Sequence, residues 1–219
     1  RDTLYNTISG GKMNGHELSI YAEDDMTFGR LGLNAGVHLS LFSAGGKRYF
    51  SAQPRASLRY RITDDWSAKA SFTQMAQYVH LLSSSTIALP TDLWVPVTKN
   101  IRPMIANQYA IGAYYTGLKG YEFSVEGYYK QMRNVLEYQD GASFFASSSS
   151  WEEKVEMGEG RSMGIEFLAQ KNTGKTTGWI AYTLAKSDRQ FENGKINNGK
   201  RFPYKYDKRH NLNICVNHK

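Results

Sequence analysis

The sequence predicts an all-β protein of antiparallel, up-and-down strands. Three observations carry that expectation: long strands with alternating faces, a Tyr-rich and Cys-poor composition, and connections that alternate between short and long. The clearest alternation places Phe50, Ala52, Pro54, Ala56, Leu58 and Tyr60 on one side and Ser51, Gln53, Arg55, Ser57, Arg59 and Arg61 on the other. A period of two is an extended strand with one apolar and one polar face. Leu31, Leu33, Ala35, Val37, Leu39 and Leu41 repeat the scheme against Gly32, Asn34, Gly36, His38 and Ser40. Long two-faced strands with arginines on the polar side suit a large soluble sheet, or a barrel with an apolar outside and a wet inside.

The strands follow in order, roughly nine of them by alternation and turn chemistry. The first covers about 16–27, and the tight Gly29-Arg-Leu-Gly32 turns it into the second at about 31–42. A moderate loop, Ser43–Arg48, leads to a third strand at about 50–62, and Thr63-Asp64-Asp65 turns it into a fourth at about 66–75. Residues 80–106 read as a long irregular loop bearing Pro and Ser. Strands at about 107–116 and 121–136 are joined by Gly117-Leu-Lys-Gly120, and a second long loop covers 139–159. Strands at about 161–171 and 178–187 flank Asn172–Thr177, and a third long loop, 188–208, precedes the last strand at about 209–217.

Short turns thus gather at one end of the sheet and longer loops at the other, which is how outer-membrane barrels are built. Greek-key connections in a soluble sandwich also produce long and short loops, so both architectures remain open at this point. Pro54 cannot donate to a ladder and needs a bulge or the end of a pairing. Between Trp179 and Leu184 the faces are ambiguous, with Ile180, Tyr182 and Leu184 competing against Trp179, Ala181 and Thr183.

Composition narrows the function classes. With 15 Tyr, 10 Phe, 20 Gly and one Cys, the chain suits an all-β protein whose aromatics sit at membrane interfaces. Mean hydropathy is −0.53 and no apolar run approaches a transmembrane helix, which leaves membrane strands untouched. The lone Cys215 lies in the apolar run Leu212–Val216 and reads as a buried thiol. Net charge is +7, yet the cations are scattered along strands and turns without a recognition motif, so nucleic acid is not an expected partner. Gly174-Lys-Thr-Thr177 lacks the spaced glycine and following helix of a phosphate loop and reads as a turn. Asp24/Asp25 and Asp64/Asp65 are adjacent, so strand neighbours point apart and form no acid/base pair. No catalytic, metal or cofactor motif is found, and the chain does not read as an enzyme.

Several stretches together resemble one family, the TonB-dependent outer-membrane receptors. They are Pro54-Arg-Ala-Ser-Leu-Arg-Tyr-Arg-Ile-Thr-Asp-Asp-Trp-Ser-Ala-Lys-Ala-Ser-Phe72, Leu89-Pro-Thr-Asp-Leu-Trp-Val-Pro96, Gly120-Tyr-Glu-Phe-Ser-Val-Glu-Gly-Tyr-Tyr-Lys130, Gly164-Ile-Glu-Phe-Leu168, Tyr182-Thr-Leu-Ala-Lys-Ser-Asp-Arg189 and Phe202-Pro-Tyr-Lys-Tyr-Asp-Lys-Arg-His210. The resemblance covers essentially the whole chain. It implies a transmembrane β-barrel of about 22 strands around a plug domain, in the outer membrane of a Gram-negative bacterium. It also implies energised uptake of a scarce nutrient such as an iron-siderophore, haem, cobalamin or a glycan. On this reading residues 1–219 are one partial domain, the later-middle barrel wall, without plug, TonB contact or final strands. Implied partners are membrane lipid, the plug of the same parent chain, the TonB energy-coupling complex and a small-molecule or oligosaccharide ligand. A passive porin-like channel and a soluble carbohydrate-binding β-sandwich are the competing readings.

Arg55, Arg59, Arg61 and Lys69 share the polar side and are the expected lumen-facing residues, lining a positive wall or pairing with carboxylates there. His80 and Trp94 in the long loop are the expected ligand contacts. Tyr60, Trp66 and Trp179, with Phe72, Tyr115 and Tyr121, are expected in an interfacial aromatic girdle.

Overall fold

In the computed structural model, which describes residues 14–82, 93–141 and 151–219, the alternating segments pair into one antiparallel sheet. The strands among the described residues are β1 (Gly15–Phe28), β2 (Leu31–Ala44), β3 (Lys47–Arg61), β4 (Trp66–Gln77), β5 (Val79–Leu82), β6 (Leu93–Pro96), β7 (Met104–Tyr115), β8 (Tyr121–Tyr138), β9 (Val155–Lys171), β10 (Thr176–Gln190), β11 (Phe202–Pro203) and β12 (His210–His218). Ten of these form the main sheet, in the order β1-β2-β3-β4-β7-β8-β9-β10, and β10 then pairs with both β11 and β12. β5 and β6 form a separate hairpin. Leu31–Leu41 and Phe50–Tyr60 are therefore hydrogen-bonded neighbours sharing one face, with Leu33 opposite Leu58 and Leu41 opposite Phe50. A sandwich would instead pack those faces against each other across two layers.

The nine long strands of the meander match the expected order, and the differences lie at the long-loop end. Ser43–Arg48 is no moderate loop: β2 and β3 run on to a two-residue turn at Gly45-Gly46, with φ of 56° and 77°. A two-residue hairpin that fits the strand twist needs positive φ at both positions, which glycine supplies without a steric cost. The 80–106 stretch contains β6, the end of the β5 hairpin and the start of β7. The 139–159 and 188–208 stretches are likewise shortened by β9, which begins at Val155, and β10, which runs to Gln190. β5, β6 and the start of β7 are apolar at successive positions, whereas the ends of β2, β3 and β10 mix polar residues into both faces, so alternation does not mark them. The four turns at the other end are two to five residues long, from Gly29-Arg30 to 116–120.

Pro54 ends a pairing, as its missing N–H requires. The β3–β4 ladder runs from Arg61↔Ser67 to Arg55↔Thr73 and stops there. Beyond it the buried Gln53 side chain replaces the ladder: Oε1 accepts from the Ala76 amide at 3.0 Å, and Nε2 donates to Ser40 Oγ at 2.9 Å. Ser40 Oγ and Tyr78 Oη lie 2.6 Å apart and complete the bridge.

The buried apolar residues among those described gather at the long-loop end, in three clusters. Phe42, Ala44, Tyr78 and Val97 form one, with Phe42 and Tyr78 stacked at 4.9 Å. Leu82, Val95, Ile101, Leu136 and Val155 form another, so residues 78–82 and 93–101 are gripped by the β2–β3 arm on one side and the β8–β9 arm on the other. The third joins Val135, Phe191 and Ile196. It depends on a bulge at Asn134, whose φ is 59° and which shifts the β8–β9 register between Arg133 and Val135. Asn tolerates that left-handed conformation, and its Nδ2 donates to the Pro103 carbonyl at 2.8 Å.

Gly158 makes room for Phe191. A Cβ there would meet the Gln190 carbonyl at 2.3 Å and Phe191 Cδ1 at 2.5 Å. Gly158→Ala is expected to cost about 1–3 kcal/mol by overpacking and to release the 191–201 segment first. Limited proteolysis of the full protein, with cleavage mapped to that segment, checks it; an unchanged cleavage pattern contradicts it.

Candidate functional site: the two faces and the mouth

The register sorts the strands of the main sheet into two continuous faces. One carries Leu31, Tyr60, Ala68, Ala113, Val125, Phe167, Tyr182 and Leu212 in a single row across the sheet. The next rows up repeat it with Leu33, Leu58, Ala70, Ile111, Ile165 and Leu184. Much of this face is exposed, as at Leu18 (69%), Ile111 (68%) and Ile214 (60%), and the rest of the named rows is at most half-buried. An exposed apolar surface this extensive marks an interaction with something apolar. Along β2 it runs from Leu31 to Leu41, about ten residue steps or about 33 Å of strand; at a barrel tilt that is about 25 Å of height, the thickness of a membrane-facing belt. Asp24 of β1, on this face, interrupts it.

At the short-turn end the belt is edged by aromatics. Trp66 and Tyr115 have ring centroids 4.8 Å apart, and Phe123 lies 6.3 Å from both Tyr115 and Tyr121. Tyr60 and Trp66 are both on this face next to short turns. Phe72 also shares it but sits higher, against Tyr109 at 5.1 Å. Trp179 does not: it pairs with Gln170 and Cys215 on the opposite face, while Ile180, Tyr182 and Leu184 take the apolar side. The same parity brings Cys215 to the polar face, half-exposed, because Leu212, Ile214 and Val216 fill the apolar positions of β12.

The opposite face is polar and charged. Arg55, Arg59, Arg61 and Lys69 all lie on it and are exposed, with Arg59 directly opposite Lys69. β1 contributes Glu23 and Asp25, each accepting from Asn34 Nδ2, at 2.6 and 2.8 Å. Gly36 separates Glu23 from Arg55 in one row, and a Cβ there would meet the Ala22 carbonyl at 2.9 Å. Across Gly112 from Lys69 stand two residues that alternation alone does not single out, Glu126 and Glu166, directly opposite each other in the β8–β9 ladder. Like charges in that position destabilise a sheet unless a cation joins them. Tyr114 Oη donates to Glu126 Oε1 at 2.8 Å and holds its carboxylate in place. At the short-turn end a concavity of about 300 Å³ opens beside Arg59, Arg61, Arg30 and Asp65.

At the long-loop end, segments fold across the mouth. The 191–201 segment is tied down by Lys195 and Asn193 on Glu156, by Arg201 on Asp188 at 2.5 Å and by the Asn197 amide on Asp140 at 2.8 Å. Arg189 pairs with Glu137 at 2.9 Å and lies 3.8 Å over the Tyr204 ring. His80 and Trp94, on β5 and β6, have opposite fates. Trp94 is 61% exposed, whereas His80 is buried, with Nε2 3.0 Å from the Arg102 carbonyl. His80 is thus packed inside the mouth rather than offered to a ligand. Among the described residues no group of three His, Cys, Asp or Glu side chains could hold a metal ion.

Comparison with known proteins follows that geometry. A family model described as "TonB dependent receptor-like, beta-barrel" matches residues 2–218. Among solved structures, the ferric-catecholate import receptor Fiu of E. coli K12 superposes with a TM-score of 0.65 at 16% identity, covering 94% of this chain and 32% of that one. The alcaligin outer-membrane receptor FauA of Bordetella pertussis gives 0.59 at 18% identity over 93% and 34%. The FrpB iron transporter of Neisseria meningitidis gives 0.58 at 16% over 83% and 27%. The chain therefore spans about a third of the length of these proteins. Comparison with curated proteins finds no match.

Burial holds the His80 pKa below its ordinary 6.5, outweighing the Arg102 carbonyl, which raises it. A base whose folded pKa is depressed binds protons more readily unfolded, so stability is full above pH 6.5 and falls as pH drops toward the depressed value. The β5–β6 hairpin strands, Val79–Leu82 and Leu93–Pro96, are therefore expected to open to protease more readily at pH 5 than at pH 7.5, and His80→Gln to abolish most of that difference. Equal pH dependence in both proteins would contradict it.

Proposed function

The chain belongs to the TonB-dependent receptor β-barrel family, and we propose that it forms the later-middle wall of a barrel that imports a scarce nutrient across the outer membrane. The observation that carries the reading is one sheet with an exposed apolar belt on one face and a charged wall on the other. The apolar face meets lipid, and Arg55, Arg59, Arg61, Lys69, Glu126 and Glu166 face the lumen. Short turns then lie in the periplasm and long loops outside.

The opposed Glu126 and Glu166 favour a plugged receptor over a passive channel. An open aqueous pore would hydrate two carboxylates without needing them opposite each other, whereas a plug domain can insert a cation between them. The plug and the contact with the TonB complex belong to other parts of the parent protein. Trp94, exposed at the mouth, is a candidate ligand contact. Because the three solved structures are named for iron, alcaligin or ferric-catecholate cargo, an iron chelate is the first cargo to test, ahead of haem, cobalamin or a glycan.

The membrane reading is tested by folding the full protein into lipid vesicles. Ile111→Arg, on the belt, is expected to cost about 2–4 kcal/mol, and Ser57→Arg, on the wall, far less. Equal costs would return the chain to a soluble sheet. The receptor reading is tested with Glu126→Gln/Glu166→Gln in the full protein. Loss of the charge pair is expected to weaken the plug's hold by about 2–5 kcal/mol, reducing energised uptake and admitting a passive probe of cargo size. Unchanged uptake and unchanged leak would favour the porin-like channel. An antibody against 80–106 that labels intact cells would place the long loops outside.

A further inference from the structure

The sequence holds three Asn-Gly pairs, Asn14-Gly15, Asn193-Gly194 and Asn198-Gly199. In such a pair the glycine nitrogen can close a small ring on the asparagine amide carbon, with no side chain on the second residue to hinder it. The fold treats the three differently. Gly15 opens the β1 ladder opposite Ala44, and Phe42 packs so close that a Cβ there would meet it at 2.9 Å. The Gly199 N–H donates to the Ile196 carbonyl at 3.0 Å. The Gly194 N–H makes no hydrogen bond among the described residues. Asn193 and Gly194 are both exposed, and a Cβ on Gly194 would meet nothing within 4 Å.

The Asn193 side-chain amide is held at both ends. Its Oδ1 accepts from the Lys195 amide at 3.2 Å, an Asx turn that folds Cγ over the Gly194 peptide. Its Nδ2 donates to Glu156 Oε2, and Lys195 Nζ donates to Glu156 Oε1 at 2.7 Å. These contacts match the charges that build up when an amide carbon is attacked. An N–H faces the oxygen that becomes negative, and a carboxylate faces the nitrogen that leaves.

We propose that Asn193-Gly194 is a self-modification site, where the free Gly194 nitrogen displaces the Asn193 amide nitrogen and the residue becomes aspartate or isoaspartate. The Gly194 nitrogen gives its proton to water and attacks Cγ. The Cγ–Nδ2 bond then breaks, and Nδ2 leaves as ammonia with a proton returned from water. A second water opens the cyclic imide at either carbonyl, so no oxidant or reductant enters. The product sets a carboxylate against Glu156 where a donor stood, and the repulsion loosens the Asn193–Lys195 turn from β9. Phe191 and Ile196 stay buried on either side, so the loosening is confined to that turn. The site lies at the mouth, and its chemistry is independent of what the barrel carries.

The full protein, kept folded at pH 6 and at pH 8.5 and then digested with trypsin, provides the test. Gln190–Lys195 and Ile196–Lys200 are released as separate peptides with one Asn-Gly pair each, and mass spectrometry reads their conversion. Asn193 is expected to convert about fivefold to tenfold faster than Asn198, the factor that freeing one hydrogen-bonded amide costs. The rate is expected to rise with pH, because the attacking nitrogen must lose its proton, and isoaspartate is expected among the products. Equal rates in the folded protein, a rate unchanged between the two pH values, or a product without isoaspartate overturns the proposal. A difference that persists in urea belongs to the sequence and overturns the part given to the fold. Asn193→Gln, whose longer side chain closes the ring poorly, is expected to stay unconverted. Asn193→Asp is expected to speed cleavage after Lys195 in the folded protein, and unchanged cleavage there overturns the loosening.

Discussion

A lipid interior offers a backbone no hydrogen-bond partner, so every N–H and C=O at membrane depth has to be satisfied by another strand. That constraint accounts for the long uninterrupted ladders, such as the fourteen-residue register of β1 with β2 and the twelve-residue register of β4 with β7. It also accounts for what happens at Pro54. The residue that cannot donate is placed where β3 and β4 part, and Gln53 takes over the Ala76 amide with its side chain. The sheet of described strands has open edges at β1 and β12, which the same constraint forbids in lipid unless further strands close them.

Once the backbone is fixed as a ladder, the side chains have only two directions available, and the division of labour follows. The outward face has no need of a packed core, since lipid itself is the apolar medium. Hence large apolar residues stay exposed across the whole sheet, and the buried clusters appear only beyond the belt, where water would otherwise reach the loops. There the long arms of β2–β3 and β8–β9 clamp residues 78–82 and 93–101, and Phe191 anchors the 191–201 segment beside Gly158. Rigid loop ends of this kind present exposed residues such as Trp94 from a fixed base.

Alternation made most of the wall legible in the sequence, because a period of two is unambiguous wherever one face is strictly apolar, as from Leu31 to Leu41 and from Phe50 to Tyr60. It failed at Trp179, where both candidate faces carry large residues and only the pairing with β9 and β12 decides. Cys215 departs from its expected burial for a related reason: a run of apolar residues in a strand is still divided between two faces. The long-loop end was the least legible part. Its strands rely on turn glycines, a bulge at Asn134 and contacts between distant segments, none of which leaves a period in the sequence. The Glu126–Glu166 pair belongs to the same class, since two glutamates forty residues apart become a site only when the register brings them opposite.

The polar wall carries its charges in an order that a simple solvated surface would not need. Reading across one row, Arg59 and Lys69 are followed by Gly112, then by Glu126 and Glu166. A glycine at the junction keeps the basic and acidic pairs from being separated by a side chain, and a Cβ there would come within 3.0 Å of Glu126 Cγ. Two like pairs side by side are individually unfavourable, yet together they form a dipole across the wall that a partner of reversed polarity can match. On the receptor reading proposed above, that partner is the plug, whose docking would relieve the repulsion within each like pair.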